Sequence, residues 1–248
     1  MTTPWLRTLK PSVSARLQLV CFPYAGGAAT TYLPWVPWLP PQVELLAVQP
    51  PGRHERSREE PLRRMNPLVD ALLPALRAQL RPPYVLFGHS MGAAVAHAVA
   101  RRLSCEGLAP ALLIVSAHRA PHLPPRQPMT HTLPEPQLLA QLAHFDGTPP
   151  ELLAAPELLA PFIPLLRADL EVSETYDHPP DTPSAFPVSA WSGRSDPIAP
   201  PTQMTPWRAH TTGPFRHHSL PGTHFFLRTP PTRPTLLKDL LWSLNPPK

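Results

Sequence analysis

The stretch Tyr84-Val85-Leu86-Phe87-Gly88-His89-Ser90-Met91-Gly92-Ala93-Ala94-Val95-Ala96-His97-Ala98-Val99-Ala100 decides how this chain folds. An apolar run, a G-x-S-x-G pentapeptide and an alanine-rich segment predict strand, sharp turn and helix in immediate succession. Gly88 and Gly92 make room for a turn too tight to hold side chains. The serine at its apex takes a strained backbone, and its hydroxyl projects above the sheet at the positive end of the following helix. Ser90 is therefore the candidate nucleophile. The pentapeptide alone is a weak signal, and the flanking strand and helix separate it from an ordinary Gly/Ser turn.

Further apolar runs surround this unit. Arg16 to Phe22, Val43 to Val48, Ala111 to Ser116 and Pro187 to Trp191 read as buried strands, with Phe215 to Leu220 as the last. An amphipathic segment from Pro67 to Leu80 reads as a helix despite Pro74. Near-continuous apolar strands separated by helices imply an α/β fold, with a mostly parallel sheet covered on both faces. Residues 1–248 are expected to form one domain. From about 121 to 183 the alternation stops, and short helical patterns appear at Gln137 to Ala143, Glu151 to Ala155 and Phe162 to Tyr176. Thr148-Pro149 suits a helix N-cap followed by proline in the first turn. This stretch is expected to be an inserted helical lid. Its leucines and Phe145 either line an acyl channel or pack the helices onto the core, and the pattern fits both.

Composition narrows the class. The 248 residues carry 42% hydrophobic residues, enough for one sizeable core. The 41 prolines and 10 glycines make up about a fifth of the chain, below the share at which disorder becomes the default. Two cysteines, Cys21 and Cys105, are too few for a disulfide scaffold, and Cys21 falls inside an expected strand as a small core residue. Residues 1–16 hold no continuous apolar leader, and no apolar run approaches the length of a membrane span. A cytoplasmic monomer without membrane contact is expected. The net charge of +5 comes from scattered arginines, without the basic run and interleaved aromatics of a nucleic-acid binder. It suits an acidic protein partner.

A serine nucleophile needs a base within hydrogen-bond reach and an acid that fixes the base's tautomer. On sheets of this kind the order along the chain is Ser, then Asp or Glu, then His, each after a strand. Ser192-Gly193-Arg194-Ser195-Asp196-Pro197 follows the strand ending at Trp191, which makes Asp196 the candidate acid over a plain turn aspartate. Pro221-Gly222-Thr223-His224-Phe225-Phe226-Leu227 follows the last strand, which makes His224 the candidate base. Of the 12 histidines, His224 alone meets order, loop position and spacing. His89 reads as support for the turn, His97 sits on the helix behind Ser90, and His217 and His218 alternate within a strand. Two backbone N–H groups should hold the oxyanion, those of Met91 and of Ala25 in the Tyr24-Ala25-Gly26-Gly27 loop. No metal-ligand spacing, GxGxxG or P-loop is present, so no metal site is expected.

With these residues in place the chain resembles the type II thioesterases that accompany polyketide synthases and nonribosomal peptide synthetases, within the α/β-hydrolase superfamily. The resemblance rests on Phe22-Pro23-Tyr24-Ala25-Gly26-Gly27, Gln49-Pro50-Pro51-Gly52-Arg53, the elbow, Pro164-Leu165-Leu166-Arg167-Ala168-Asp169, the Asp196 loop and the His224 loop. It places Ser90, Asp196 and His224 on the family's nucleophile, acid and base. It implies hydrolysis of acyl groups from the phosphopantetheine arm of acyl or peptidyl carrier domains, with no cofactor of the chain's own. Departures are Pro50 where the family usually has leucine, Gly222-Thr223 where it often has two glycines, and Ser195 where a second acid is usual. Arg53 and Arg167 lie in family motifs, where they are either structural or available for docking. A chain-releasing thioesterase and a generic serine esterase are the alternative readings.

Overall fold

The computed structural model describes residues 5–126, 128–144 and 156–244. The expected Glu151 to Ala155 helix and the Thr148-Pro149 cap lie outside them. Seven strands form one sheet: β1 (Leu6–Lys10), β2 (Leu17–Phe22), β3 (Val43–Val48), β4 (Tyr84–His89), β5 (Leu112–Ser116), β6 (Val188–Gly193) and β7 (Phe215–Leu220), in the order β1-β3-β2-β4-β5-β6-β7. Every pairing from β3 to β7 is parallel, and β1 alone runs antiparallel, against β3. The longer helices are α1 (Met65–Gln79), α2 (Met91–Cys105), α3 (Glu135–His144), α4 (Ile163–Glu174) and α5 (Thr232–Leu244). This is the α/β-hydrolase arrangement.

The period-2 alternation of each central strand divides the core in two. Val20, Phe22 and Leu86 point to the face covered by α1 and α2. Leu19, Cys21, Val85 and Phe87 point to the face covered by α5 and by a ten-residue 3-10 helix, Ala29–Trp38. Burial on both sides explains why β2, β3 and β4 read as continuous apolar runs.

Several elements escape the sequence reading, among them β1, the Ala29–Trp38 helix and α5. β1 is short and only Leu6 is buried, so its pattern carries almost no signal. The 3-10 helix contains Pro34 and Pro37 and lacks a 3.6-residue period. In α5 the start is disguised by Thr232-Arg233-Pro234, although proline is tolerated in a first turn.

The elbow glycines are required by contact. A Cβ on Gly88 would lie 2.0 Å from the Gly92 carbonyl oxygen, and one on Gly92 would lie 2.1 Å from that of Phe22. The start of α2 thus rests directly on the end of β2. This sets Ser90 at the carboxyl edge of the sheet, where ligands bind in folds of this kind.

Candidate active site

Ser90 sits at φ 54°, ψ −123°, the strained conformation expected of the elbow, and its N–H donates to the Ser116 carbonyl at 2.8 Å. His224 Nε2 lies 3.1 Å from Ser90 Oγ, and His224 Nδ1 lies 2.9 Å from Asp196 Oδ2. A carboxylate only accepts, so Nδ1 carries the proton and Nε2 is left to accept from the serine hydroxyl. The other oxygen of Asp196, Oδ1, accepts from the N–H groups of Ile198 at 2.8 Å and Ala199 at 3.1 Å. That fixes the carboxylate's rotamer. Asp196 and His224 are each only 3% exposed. The three side chains nominated from sequence form one hydrogen-bonded line from three separate strand ends.

The Asp196 and His224 loops touch because of Gly193, where a Cβ would come within 2.3 Å of the Thr223 carbonyl oxygen. Gly222 supplies the left-handed turn at φ 117°, while Thr223 is not among the residues with positive φ. One glycine before His224 is therefore enough here. His89 supports the turn as expected: its Nδ1 lies 2.9 Å from Ser116 Oγ, and its ring lies 5.3 Å from that of His224. Burial, followed by the neighbouring His224, holds its pKa well below the ordinary value. His89 thus packs against His224 without adding a charge. His217 bonds Ser192 Oγ at 2.9 Å and His218 bonds Asp239 at 3.1 Å, both away from the line.

Met91 is the first residue of α2, so its N–H belongs to the helix's unpaired N-terminal amides. Ala25 shares with Ser90 and His224 the wall of a cavity of about 510 Å³. Leu142, Leu159, Ile163, Leu165, Leu166 and Leu170 give the cavity an apolar wall. The two readings of the insert's leucines therefore divide by residue. Leu138 and Leu142 pack with Ile163 in a small cluster of their own, Leu142 and Leu159 also face the cavity, and Leu158 is 55% exposed. Phe145, Leu152 and Leu153 lie outside the described residues. Among the described residues no group of three or more His, Cys, Asp or Glu is placed to hold a metal ion.

Two groups near the site were not assigned from sequence. Arg53 and Asp169, quoted only as parts of motifs, form a buried ion pair beside the Tyr24–Gly27 loop. They stand 116 positions apart, and Asp169 shares its motif with a second charge, Arg167, so nothing in the sequence pairs them. His118 lines the cavity, its Nδ1 2.8 Å from the Arg119 carbonyl oxygen. Arg167 donates to the His131 carbonyl at 2.7 Å, which is a structural use.

Burial lowers the His118 pKa to about 3 and holds that of His97 well below the ordinary value. The unfolded chain takes up these protons below about pH 6.5, whereas the folded chain does not. Their contribution to stability is whole above that pH and is lost as pH falls. A group that stays neutral at pH 5 costs the fold about 2 kcal/mol there. The denaturant midpoint should therefore drop clearly between pH 7.5 and pH 5. An unchanged midpoint would show that these imidazoles protonate in the folded state.

A parallel sheet with a serine on an elbow, lined up with histidine and aspartate from later strand ends, defines an α/β-hydrolase of the serine type. The chain belongs to the thioesterase family, whose domain model matches residues 17–241. The thioesterase PikA5 of Streptomyces venezuelae is 38% identical over 225 residues, covering 90% of this chain and 80% of its own length. A probable cadicidin biosynthesis thioesterase of Streptomyces griseus is 37% identical over 223 residues, covering 90% of this chain, which spans 62% of that relative's length. Among solved structures, the type II thioesterase BorB from the borrelidin biosynthetic cluster matches with a TM-score of 0.87 at 36% identity, over 99% of both chains.

Proposed function

We propose that this thioesterase removes acyl groups from the phosphopantetheine arms of carrier domains in a polyketide or nonribosomal peptide assembly line. The observation that carries this reading is the Ser90–His224–Asp196 line opening onto an apolar-walled cavity. Its relatives' names supply the thioester bond and the biosynthetic-cluster setting.

In this reading His224 Nε2 takes the Ser90 proton as Oγ attacks the thioester carbonyl carbon. The N–H groups of Met91 and Ala25 hold the resulting oxyanion, and Asp196 stabilises the imidazolium. Collapse breaks the C–S bond, and the pantetheine sulfur leaves with the proton from His224. Water, deprotonated by His224, then attacks the acyl-serine. The acid departs and Ser90 recovers its proton. The phosphopantetheine belongs to the carrier, so the chain needs no cofactor of its own. The insert acts as the lid of the acyl cavity. No helix among the described residues is long and apolar enough to cross a membrane, and a cytoplasmic enzyme meeting carrier domains fits this role.

The test compares hydrolysis of acyl-carrier proteins with that of the matching small acyl thioesters across chain lengths. We expect kcat/KM at least about tenfold higher on the carrier, falling with salt. The small thioester should respond little, because exposed charge attraction is screened over about 8–10 Å near physiological ionic strength. Equal kcat/KM with equal salt response would make the chain a general thioesterase.

A further inference from the structure

The Tyr24–Gly27 turn is held from behind by a pair of charges that the catalytic line does not touch. Gly27 N–H donates to the Tyr24 carbonyl at 2.8 Å, and Gly26 takes φ 77°, as a tight turn of this kind requires. The Gly26 N–H then donates to Asp169 Oδ2 at 2.8 Å. The Gly27 carbonyl accepts from Arg53 Nη1 at 2.6 Å. Arg53 closes the arrangement with a two-pronged contact to Asp169, Nη1 to Oδ2 at 2.9 Å and Nη2 to Oδ1 at 2.8 Å. Both side chains are about 95% buried. The peptides on the C-terminal side of Ala25 are thus fixed by the most directional ion-pair geometry available to a protein.

The two charges come from different parts of the molecule. Arg53 follows β3, with its Nε donating to the Pro51 carbonyl at 3.2 Å. Asp169 lies on α4, the helix whose Leu165, Leu166 and Leu170 line the cavity. The same helix presses on both loops. Leu166 Cδ1 lies 3.5 Å from where a Cβ on Gly26 would be, and Leu165 Cδ1 lies 2.9 Å from the corresponding point on Gly52. Displacing α4 would take the carboxylate away from the Gly26 N–H and leave Arg53 buried without its partner.

We infer that Arg53 and Asp169 are positioning residues for the oxyanion site, coupling the seating of α4 against the cavity to the orientation of the Ala25 N–H. This rests on the proposed roles of Ser90 and Ala25, and it adds that cavity closure and oxyanion stabilisation are a single event. Neither residue touches the reacting atoms. Their effect should therefore appear in kcat and in acylation, and leave carrier binding alone.

A stability loss must be separated from a positioning loss. Replacing a buried ion pair by apolar groups of similar volume is often neutral or stabilising, whereas removing one partner is strongly destabilising. The decisive variant is therefore Arg53→Met with Asp169→Leu, which keeps packing and discards the hydrogen bonds to Gly26 and Gly27. We expect near-native thermal stability, a KM within about threefold of wild type, and a kcat lowered at least about thirtyfold, toward the cost of a lost oxyanion donor. Serine labelling by an alkyl phosphonate, whose P–O also occupies the oxyanion site, should slow in parallel. Wild-type kcat in a stable double variant, or a lowered kcat with unchanged labelling, would overturn the inference. Should the double variant not fold, Asp169→Asn decides: at least a tenfold loss of kcat in a folded enzyme supports positioning, and wild-type kcat overturns it. Ser90→Ala assayed alongside keeps the two proposals apart. Residual turnover there removes the nucleophile assignment, while a Ser90-dependent enzyme indifferent to Arg53 and Asp169 removes only the coupling.

Discussion

Ser90→Ala is expected to lower thioester hydrolysis by at least about 10⁴-fold while leaving the fold and carrier binding intact. The fold should survive because the substitution removes only the hydroxyl, and alanine already takes a positive φ elsewhere in this chain. Ala117 holds φ 52° in this same chain, against 54° at Ser90. The Ser90 N–H bond to Ser116 is a backbone contact and persists in the variant. A phosphonate should label Ser90 and no other serine of the wild-type enzyme. Turnover within about tenfold of wild type would place the nucleophile elsewhere.

Asp196→Asn should be nearly as damaging, about 10⁴-fold in kcat, and for a reason of tautomers. Asparagine can keep its oxygen toward the Ile198 and Ala199 N–H groups, where Asp196 Oδ1 now sits. Its NH₂ then faces His224 Nδ1, which must give up its proton and accept. The remaining proton moves to Nε2, 3.1 Å from Ser90 Oγ, and the base can no longer take the serine proton. His224→Ala removes the base outright, so adding Asp196→Asn to it should cost little more. Fully additive losses would show that the two do not act as a unit. Near-native turnover of Asp196→Asn would send the search for the acid elsewhere.

The fold was legible where burial on both sheet faces left uninterrupted apolar runs, as at Leu17–Phe22 and Tyr84–His89. It was hidden where an element is short or half-exposed, as at β1, or built without a helical period, as at Ala29–Trp38. The side chains nominated for the site were legible because each follows a strand end in a fixed order, which is one-dimensional information. The Arg53–Asp169 contact was not, since its partners come from loops and helices whose spatial neighbours have no sequence spacing to betray them. The same holds for His118, which reaches the cavity wall through the turn at Ala117. Its neighbours in the chain give no hint of that.

Cys21 is paired in register with Phe87 on the very strand that delivers Ser90, and it is fully buried, with burial pushing its thiol pKa well above the ordinary value. Cys105 is exposed but closes the 15-residue α2 at the end away from Ser90, about 20 Å along the helix. For an enzyme that handles thioesters, a reactive thiol beside the acyl-serine would be a rival acceptor, capturing the acyl group and poisoning the chain one turnover at a time. Here the nearer sulfur is kept protonated and walled in, and the reachable one stands too far off to intercept. Self-acylation on sulfur is thereby closed off by where the two cysteines sit.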